Sequence, residues 1–283
     1  MKVYKSDYTV KQLYKDTYAI TDSGLGQGKV FMYLLVGKEK ALLVDSGFGL
    51  LDLKAIIGSI TDKQVICVCT HGHVDHALGA CQFSQAFIHS KDFDVYRKHS
   101  SPELLNEMAT KGLTLKPGKS KLNNPSYINL VEKMVKKSYP ELKSLDDIKH
   151  FDLGERIITW YHVPGHTQGT IAFIDKSNST AFDADACAPG AWLFLDESSP
   201  LPLYLEELKK YQAFLKEQGI NKRYVGHSGK ALREKYLGQL IRCTEIAISK
   251  PKKGIKMKTL LGNARIVFAG GSLLFCKRHE DEV

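Results

Sequence analysis

The chain has 283 residues, of which 43% are hydrophobic and 25% charged, and its 40 Lys and Arg against 31 Asp and Glu give a formal charge of +9. These proportions are ordinary for a soluble α/β domain of this length. No apolar run approaches the roughly 20 residues that cross a bilayer, and Met1 to Asp7 lacks the apolar core of a signal peptide. A cytoplasmic protein with no membrane partner is therefore expected. The six cysteines, at 67, 69, 81, 187, 243 and 276, form no Cys-x-x-Cys pair and suit reduced thiols. Cys67 and Cys69, two apart on a strand, read as small apolar core residues.

The opening third reads as strands. Tyr8 to Leu13, Thr17 to Thr21, Val30 to Val36 and Lys40 to Val44 are β-branched or aromatic runs parted by turn residues. Gly24 to Gly28 is Gly-rich but lacks the Lys-Ser/Thr ending of a phosphate loop, and reads as a loop at the edge of a site. Leu50 to Ile60 has helical spacing, Val65 to Thr70 is a strand, and His76 to Phe83 opens a helix. Residues 91 to 146 are Lys-rich, with two predicted helices, Pro102 to Thr110 and Ser126 to Lys137, joined by the polar linker Lys116 to Pro125. An insertion of this kind reads as a lid or as surface decoration. Strand patterns return at Arg156 to Val163, Thr170 to Asp175 and Ser179 to Ala184. Then come a helix over Tyr204 to Gln218, a short strand over Arg223 to Val225 and a long helix over Lys230 to Ser249. Ala264 to Cys276 reads as a C-terminal hairpin turning at Gly270-Gly271. The order β-α-β-α indicates an α/β chain. Lys250, Lys252, Lys253, Lys256 and Lys258 form a basic stretch. No aromatic residue interleaves with these lysines, so a solvated connector is favoured over a nucleic-acid footprint.

The densest information lies in Thr70-His71-Gly72-His73-Val74-Asp75-His76, at the end of the apolar run Val65 to Cys69. Neutral imidazoles and a carboxylate are the ligands that zinc, iron and manganese accept. So many ionisable groups at one strand end would repel one another or go unsatisfied without an ion. His-x-His-x-Asp-His after a buried strand resembles the metallo-β-lactamase-fold superfamily. Val44-Asp45-Ser46-Gly47, Val163 to Gly169 (Val-Pro-Gly-His-Thr-Gln-Gly), Phe182-Asp183-Ala184-Asp185 and Tyr224-Val225-Gly226-His227 resemble its other motifs, in the right order. Ala184 stands where that family usually has Gly.

The resemblance implies a four-layer αββα sandwich, here one domain over residues 1–283 with the helical insertion at about 91–146. It also implies a dinuclear centre of two divalent ions, zinc in the first place and iron or manganese as alternatives. His71, His73 and His166 would bind one ion, Asp75, His76 and His227 the second, and Asp185 both, with catalytic roles for Asp75 and Asp185. Asp183 is the rival to Asp185, and the motif alignment favours Asp185. Asp45 is expected either behind the ligands, holding an imidazole by its other nitrogen, or as a turn or helix-cap carboxylate. His162 reads as structural, and His89, His99, His150 and His279 as surface residues. Tyr33, Trp192, Phe194 and Tyr204 are candidates for a substrate pocket, with Trp192 and Phe194 on a loop after Asp185, and core packing is the commoner fate of such aromatics.

Asp185 together with His76 is the pattern of the glyoxalase II, lactonase and ribonuclease Z types rather than of the true β-lactamases. The expected activity is hydrolysis of a small ester, thioester or lactone, anionic ones included, by a metal-bridging hydroxide. The alternatives are a phosphodiesterase of the ribonuclease Z type, a mononuclear iron enzyme like the persulfide dioxygenases, and a non-catalytic metal module. Nucleic acid is the less favoured partner.

Overall fold

The computed structural model describes residues 8–22, 29–108, 132–259 and 262–277. The chain divides into two compact units, Met1–Arg156 and Ile157–Val283. The loop at Gly24 to Gly28, the linker Lys116 to Pro125 and His279 lie outside the described residues.

The first unit is built on one seven-stranded sheet in sequential order. β1 (Tyr8–Tyr14), β2 (Thr17–Asp22), β3 (Phe31–Val36) and β4 (Lys40–Val44) form an antiparallel meander. β5 (Gln64–Val68), β6 (Ala86–Ile88) and β7 (Lys143–Ser144) continue it in parallel. β3 and β4 are apolar along almost their whole length and are buried on both faces, as central strands of a mixed sheet must be. One face carries Ile20, Met32, Leu34, Ala41, Leu43, Cys67 and Cys69 into a single core cluster. That face is covered by α1 (Leu53–Gly58), α2 (Val74–Ala77), α3 (Phe93–His99), α4 (Pro102–Glu107) and a short helix α5 over 132–136. β8 (His150–Asp152) ends the unit. Buried Arg156 ties its last turn to its first hairpin, donating to the carbonyls of Asp16 (2.8 Å) and Val36 (3.0 Å) and to Thr17 Oγ1 (2.7 Å).

The helix expected from His76 to Phe83 is one turn of α-helix followed by a 3-10 turn over Leu78–Gln82. α4 begins where Ser101 caps it, accepting from Leu104 N with Pro102 at the first turn; its expected end at Thr110 lies outside the described residues. α3 was not expected. Its run Phe93-Asp94-Val95-Tyr96 is too short to show a helical period, and only the packing of buried Tyr96 against the core reveals it.

The second unit contains, in chain order, β9 (Ile157–His162), β10 (Ile171–Asp175), β11 (Thr180–Ala184), β12 (Gly190–Leu193), α6 (Leu201–Glu217), β13 (Lys222–Val225), β14 (Ser228–Leu232), α7 (Lys235–Ser249), β15 (Ile255–Thr259), β16 (Gly262–Ala269) and β17 (Ser272–Cys276). One sheet runs β14-β13-β11-β10-β9, and a second runs β12-β17-β16-β15. α6 buries Tyr204, Leu208, Tyr211 and Leu215, the i, i+4, i+7, i+11 stripe of an amphipathic helix. α7 buries Leu237, Leu240, Ile241, Thr244 and Ala247, and the two helices join one core with Val267, Leu274 and Cys276. Residues 230–234, expected in the long helix, instead lie on strand β14 or in the turn to α7. The basic stretch is a solvated connector only at Lys250, Lys252 and Lys253, in the turn after α7; Ile255 to Thr259, with Lys256 and Lys258, pair with β16 as an edge strand.

Close approach fixes the turn that follows α2. A Cβ on Gly79 would lie 2.0 Å from the backbone oxygen of Ser46, whose own N and Oγ donate to the carbonyl of His76. Gly79→Ala should therefore lower the unfolding free energy by about 1–3 kcal/mol, read as a lower urea midpoint. Gly58→Ala, where the added Cβ meets nothing within 4 Å, should not. Equal midpoints for the two variants would show that this turn yields easily.

Candidate metal centre

In the first unit the donors emerge from the carboxyl ends of two adjacent parallel strands. β4 and β5 pair with Val44 opposite Val68, and Asp45 N donates to Val68 O at 2.8 Å. Asp45 therefore stands beside the start of the histidine motif, on backbone with φ of 62°, a left-handed position that Asp tolerates better than most residues. It is buried, and its carboxylate accepts from Thr70 N (2.8 Å) and Thr70 Oγ1 (2.9 Å) while facing His76 Nδ1 at 2.8 Å. A carboxylate only accepts, so His76 carries its proton on Nδ1 and keeps the lone pair on Nε2.

The same reasoning reaches His71 through Thr70. A hydroxyl has one proton, and Thr70 gives it to Asp45. The 3.1 Å contact between Thr70 Oγ1 and His71 Nδ1 must then be donated by the imidazole, leaving the His71 lone pair on Nε2. One buried carboxylate so sets the tautomer of two histidines. The sequence placed Asp45 in such a role but gave Thr70 none; its signal was a small hydroxyl residue directly before the first histidine. The His71 ring lies 4.7 Å from that of His73 and 4.2 Å from that of His76, and Asp75 Oδ2 is 3.8 Å from His76 Nε2. Gly72 keeps the motif tight: its N donates to buried Asp92 at 2.7 Å, and a Cβ there would meet Tyr96 N at 2.6 Å.

In the second unit, β9 runs antiparallel to β10 and β10 to β11, while β11 and β13 pair in parallel. The carboxyl ends of β9, β11 and β13 thus point the same way, and His166, Asp185 and His227 follow those three ends. His166 Nδ1 donates to the Trp192 carbonyl at 2.9 Å, which again leaves the lone pair on Nε2. Asp185 Oδ2 lies 3.7 Å from His166 Nε2 and 3.1 Å from His227 Nε2. A separation of 3.7 Å between two acceptor atoms is too long for a hydrogen bond. It suits two ligands of one cation, which at about 2.1 Å from a tetrahedral ion stand roughly 3.4 Å apart. Ala184 has φ of 43°, which explains why Gly is usual there in the motif it resembles.

Asp183 is committed elsewhere. It is fully buried, accepts from Tyr211 Oη at 2.6 Å and pairs with Arg223 Nη1 at 2.7 Å. Burial pushes its carboxyl above the usual range, against the pull of Arg223 and Tyr211. It belongs to the core, and of the two aspartates it is Asp185 that stands beside His166 and His227. Several other expectations change. His89 is buried, its Nδ1 accepting from Lys91 N at 3.2 Å, and His99 is half-buried with its ring 4.6 Å from His73. Neither is a surface residue; both are held by α3 and the 3-10 turn before it, which short runs do not betray. Tyr33 and Tyr204 are core residues, Tyr204 donating to Ala186 O at 2.7 Å. Trp192 lies on β12 rather than on a loop. His162 is structural, Nε2 meeting Gln168 O at 2.8 Å, and His150 is exposed. Arg223→Met should cost about 3–5 kcal/mol by stranding a buried carboxylate, and adding Asp183→Leu should recover much of it. Denaturant titration of the two variants checks this; a double variant no more stable than the single would refute the ion-pair account.

A family model described as the metallo-beta-lactamase superfamily matches residues 25–227. The chain is 25% identical over 177 residues to the acyl-coenzyme A thioesterase MBLAC2 of Homo sapiens, covering 57% of this chain and 61% of that protein. To the protein of the same name from Gallus gallus it is 22% identical over 205 residues, covering 69% of this chain and 71% of the relative. It thus spans only 61% of the length of the human protein. Among solved structures it shares its fold with a metallo-beta-lactamase from Pontibacter korlensis, at a TM-score of 0.58 and 16% identity, over 84% of this chain and 99% of that one. A metallo-beta-lactamase from Erythrobacter litoralis also has a TM-score of 0.58, at 14% identity, over 86% and 98% of the two chains. With the family model matching most of its length, the chain belongs to the metallo-beta-lactamase superfamily.

Proposed function

We propose that the protein is a metal-dependent hydrolase acting on an acyl thioester. The observation that carries this reading is the anchoring of three imidazoles by Nδ1: His71 to Thr70, His76 to Asp45 and His166 to the Trp192 carbonyl. Holding the far nitrogen is what metal-binding histidines require, since it orients the ring and presents Nε2. The donors, imidazole and carboxylate, fit zinc, iron or manganese. In the assignment the family resemblance implies, His71, His73 and His166 hold one ion and Asp75, His76 and His227 the other, with Asp185 shared. Divalent ions so bound would lower the pKa of a coordinated water towards neutrality and polarise a carbonyl.

The chain's own residues do the rest. Asp45 and Thr70 hold the His71 and His76 rings in one tautomer, and Gly72 packs the loop against α3. Asp185 and Asp75 would offset the charge of bound cations. The thioester is favoured over other esters because the curated relatives above are named thioesterases. Six thiols with no disulfide among them suit a reducing, cytoplasmic compartment. No helix among the described residues is long and apolar enough to cross a membrane.

The test is elemental analysis of the protein reconstituted with excess zinc, then a panel of acyl thioesters, oxygen esters, lactones and phosphodiesters. Two equivalents of metal and preference for thioesters are expected. A plateau at one equivalent would overturn the dinuclear reading, and preference for phosphodiesters the thioester reading. Asp185→Asn should reduce turnover or metal affinity by about 10–100-fold; undiminished activity with full metal content would remove it from the centre. Thr70→Val should weaken metal retention against a chelator by about the same factor, and Thr70→Ser should restore it. If valine serves as well as serine, the hydroxyl does not orient His71.

A further inference from the structure

The basic stretch that the catalytic reading leaves unused lies on the edge of the four-stranded sheet of the second unit. β15 is the terminal strand, paired only with β16 within that sheet. Ile255 lies opposite Ile266, and Met257 and Phe268 lie two residues further along each strand, so all three point to one face. The opposite face, through Val267, Leu274 and Cys276, packs into the core with α7. Ile255, Met257 and Phe268 are 60%, 40% and 50% exposed. They form an apolar ridge along the sheet edge, with neighbours about 7 Å apart along the strand direction.

Charge flanks this ridge. Lys250, Lys252 and Lys253 lie in the turn leading to β15, at the end of the ridge, while Lys256 and Lys258 alternate with its apolar residues and so stand on the other side of the edge strand; all five are exposed. Between Ser249 and Lys277 the chain has no Asp or Glu at all. Lysines on an edge strand guard it against pairing with another chain, but that role does not account for three large apolar side chains in water beside them. A second copy docked on this edge would set one lysine cluster against another. A nucleic acid would engage the lysines and leave Ile255, Met257 and Phe268 in water. A bilayer interface with anionic headgroups satisfies both: the ridge enters the acyl boundary while the long lysine stems reach back to the phosphates.

We propose that this sheet edge docks the protein on a membrane surface carrying anionic lipid. The proposal is peripheral and stands apart from the metal centre, so it can fail without touching the thioesterase reading. The test is co-sedimentation of the full chain with vesicles of phosphatidylcholine, alone or mixed with phosphatidylserine, which needs no metal and no turnover. Binding to the mixed vesicles and not to the neutral ones is expected. Ile255→Ser, Met257→Ser and Phe268→Ser combined should reduce that binding at least about tenfold, since three apolar side chains leave the interface. Lys252→Glu with Lys253→Glu should reduce it by about fivefold or more per lysine. Circular dichroism melts should match wild type, because all the altered side chains are solvent-exposed. No binding to the mixed vesicles would overturn the proposal. So would undiminished binding of the serine variant, which would reduce the effect to general basicity. A wild-type dimer that the serine variant converts to monomer would overturn it in favour of a second copy.

Discussion

The Asp45 carboxylate is the interaction on which the first unit's chemistry depends. It sits where two parallel strands end side by side, and it receives hydrogen bonds from Thr70 and His76. A buried carboxylate needs such partners, because leaving a charge without them costs several kcal/mol. The motif supplies them, and in doing so it loses its freedom: His76 is held directly and His71 through one hydroxyl. The satisfaction of one buried charge and the orientation of two imidazoles that could hold a metal ion are here the same event.

The second unit reaches a similar end by different means. Asp183, Arg223 and Tyr211 join β11, β13 and α6 in a buried polar cluster just below the point where Asp185 and His227 leave the sheet. Breaking such a cluster is costly because each member is desolvated. The parallel pairing of β11 with β13 aims both donors to the same end, and the left-handed turn at Ala184 gives Asp185 its direction. Both units thus place a buried carboxylate in the strand layer and deliver donors from the strand ends above it.

The two carboxylates of Phe182-Asp183-Ala184-Asp185 show how far composition goes. Both are acidic, two residues apart, and either could ligate an ion. Packing separates them: one side chain points into the core towards Arg223, and the other emerges at the strand end beside His166 and His227. His89 and His99 make the complementary point. Nothing beside them in the chain marks them, yet one is buried and the other stacks near His73.

Much of this protein was legible in the amino-acid order alone. Apolar, β-branched or aromatic runs declared β1 to β5 and β9 to β11, the long amphipathic period declared α6, and the spacing His71-x-His73-x-Asp75-His76 declared a cluster that could hold a metal, because ligand chemistry tolerates few substitutes. Several short elements were not legible. β6, β12, β14 and α3 are too brief to carry a period, and they exist because neighbouring strands and helices complete their hydrogen bonds and bury their apolar residues. The basic stretch was legible as charge but not as an edge strand, since its apolar partners Ala264 and Ile266 lie on the following strand. The sequence by itself determined which atoms could bind a metal. Only the tertiary structure decided which nitrogen each imidazole presents, because that depends on partners such as Asp45 and Trp192, which lie 31 and 26 residues away along the chain.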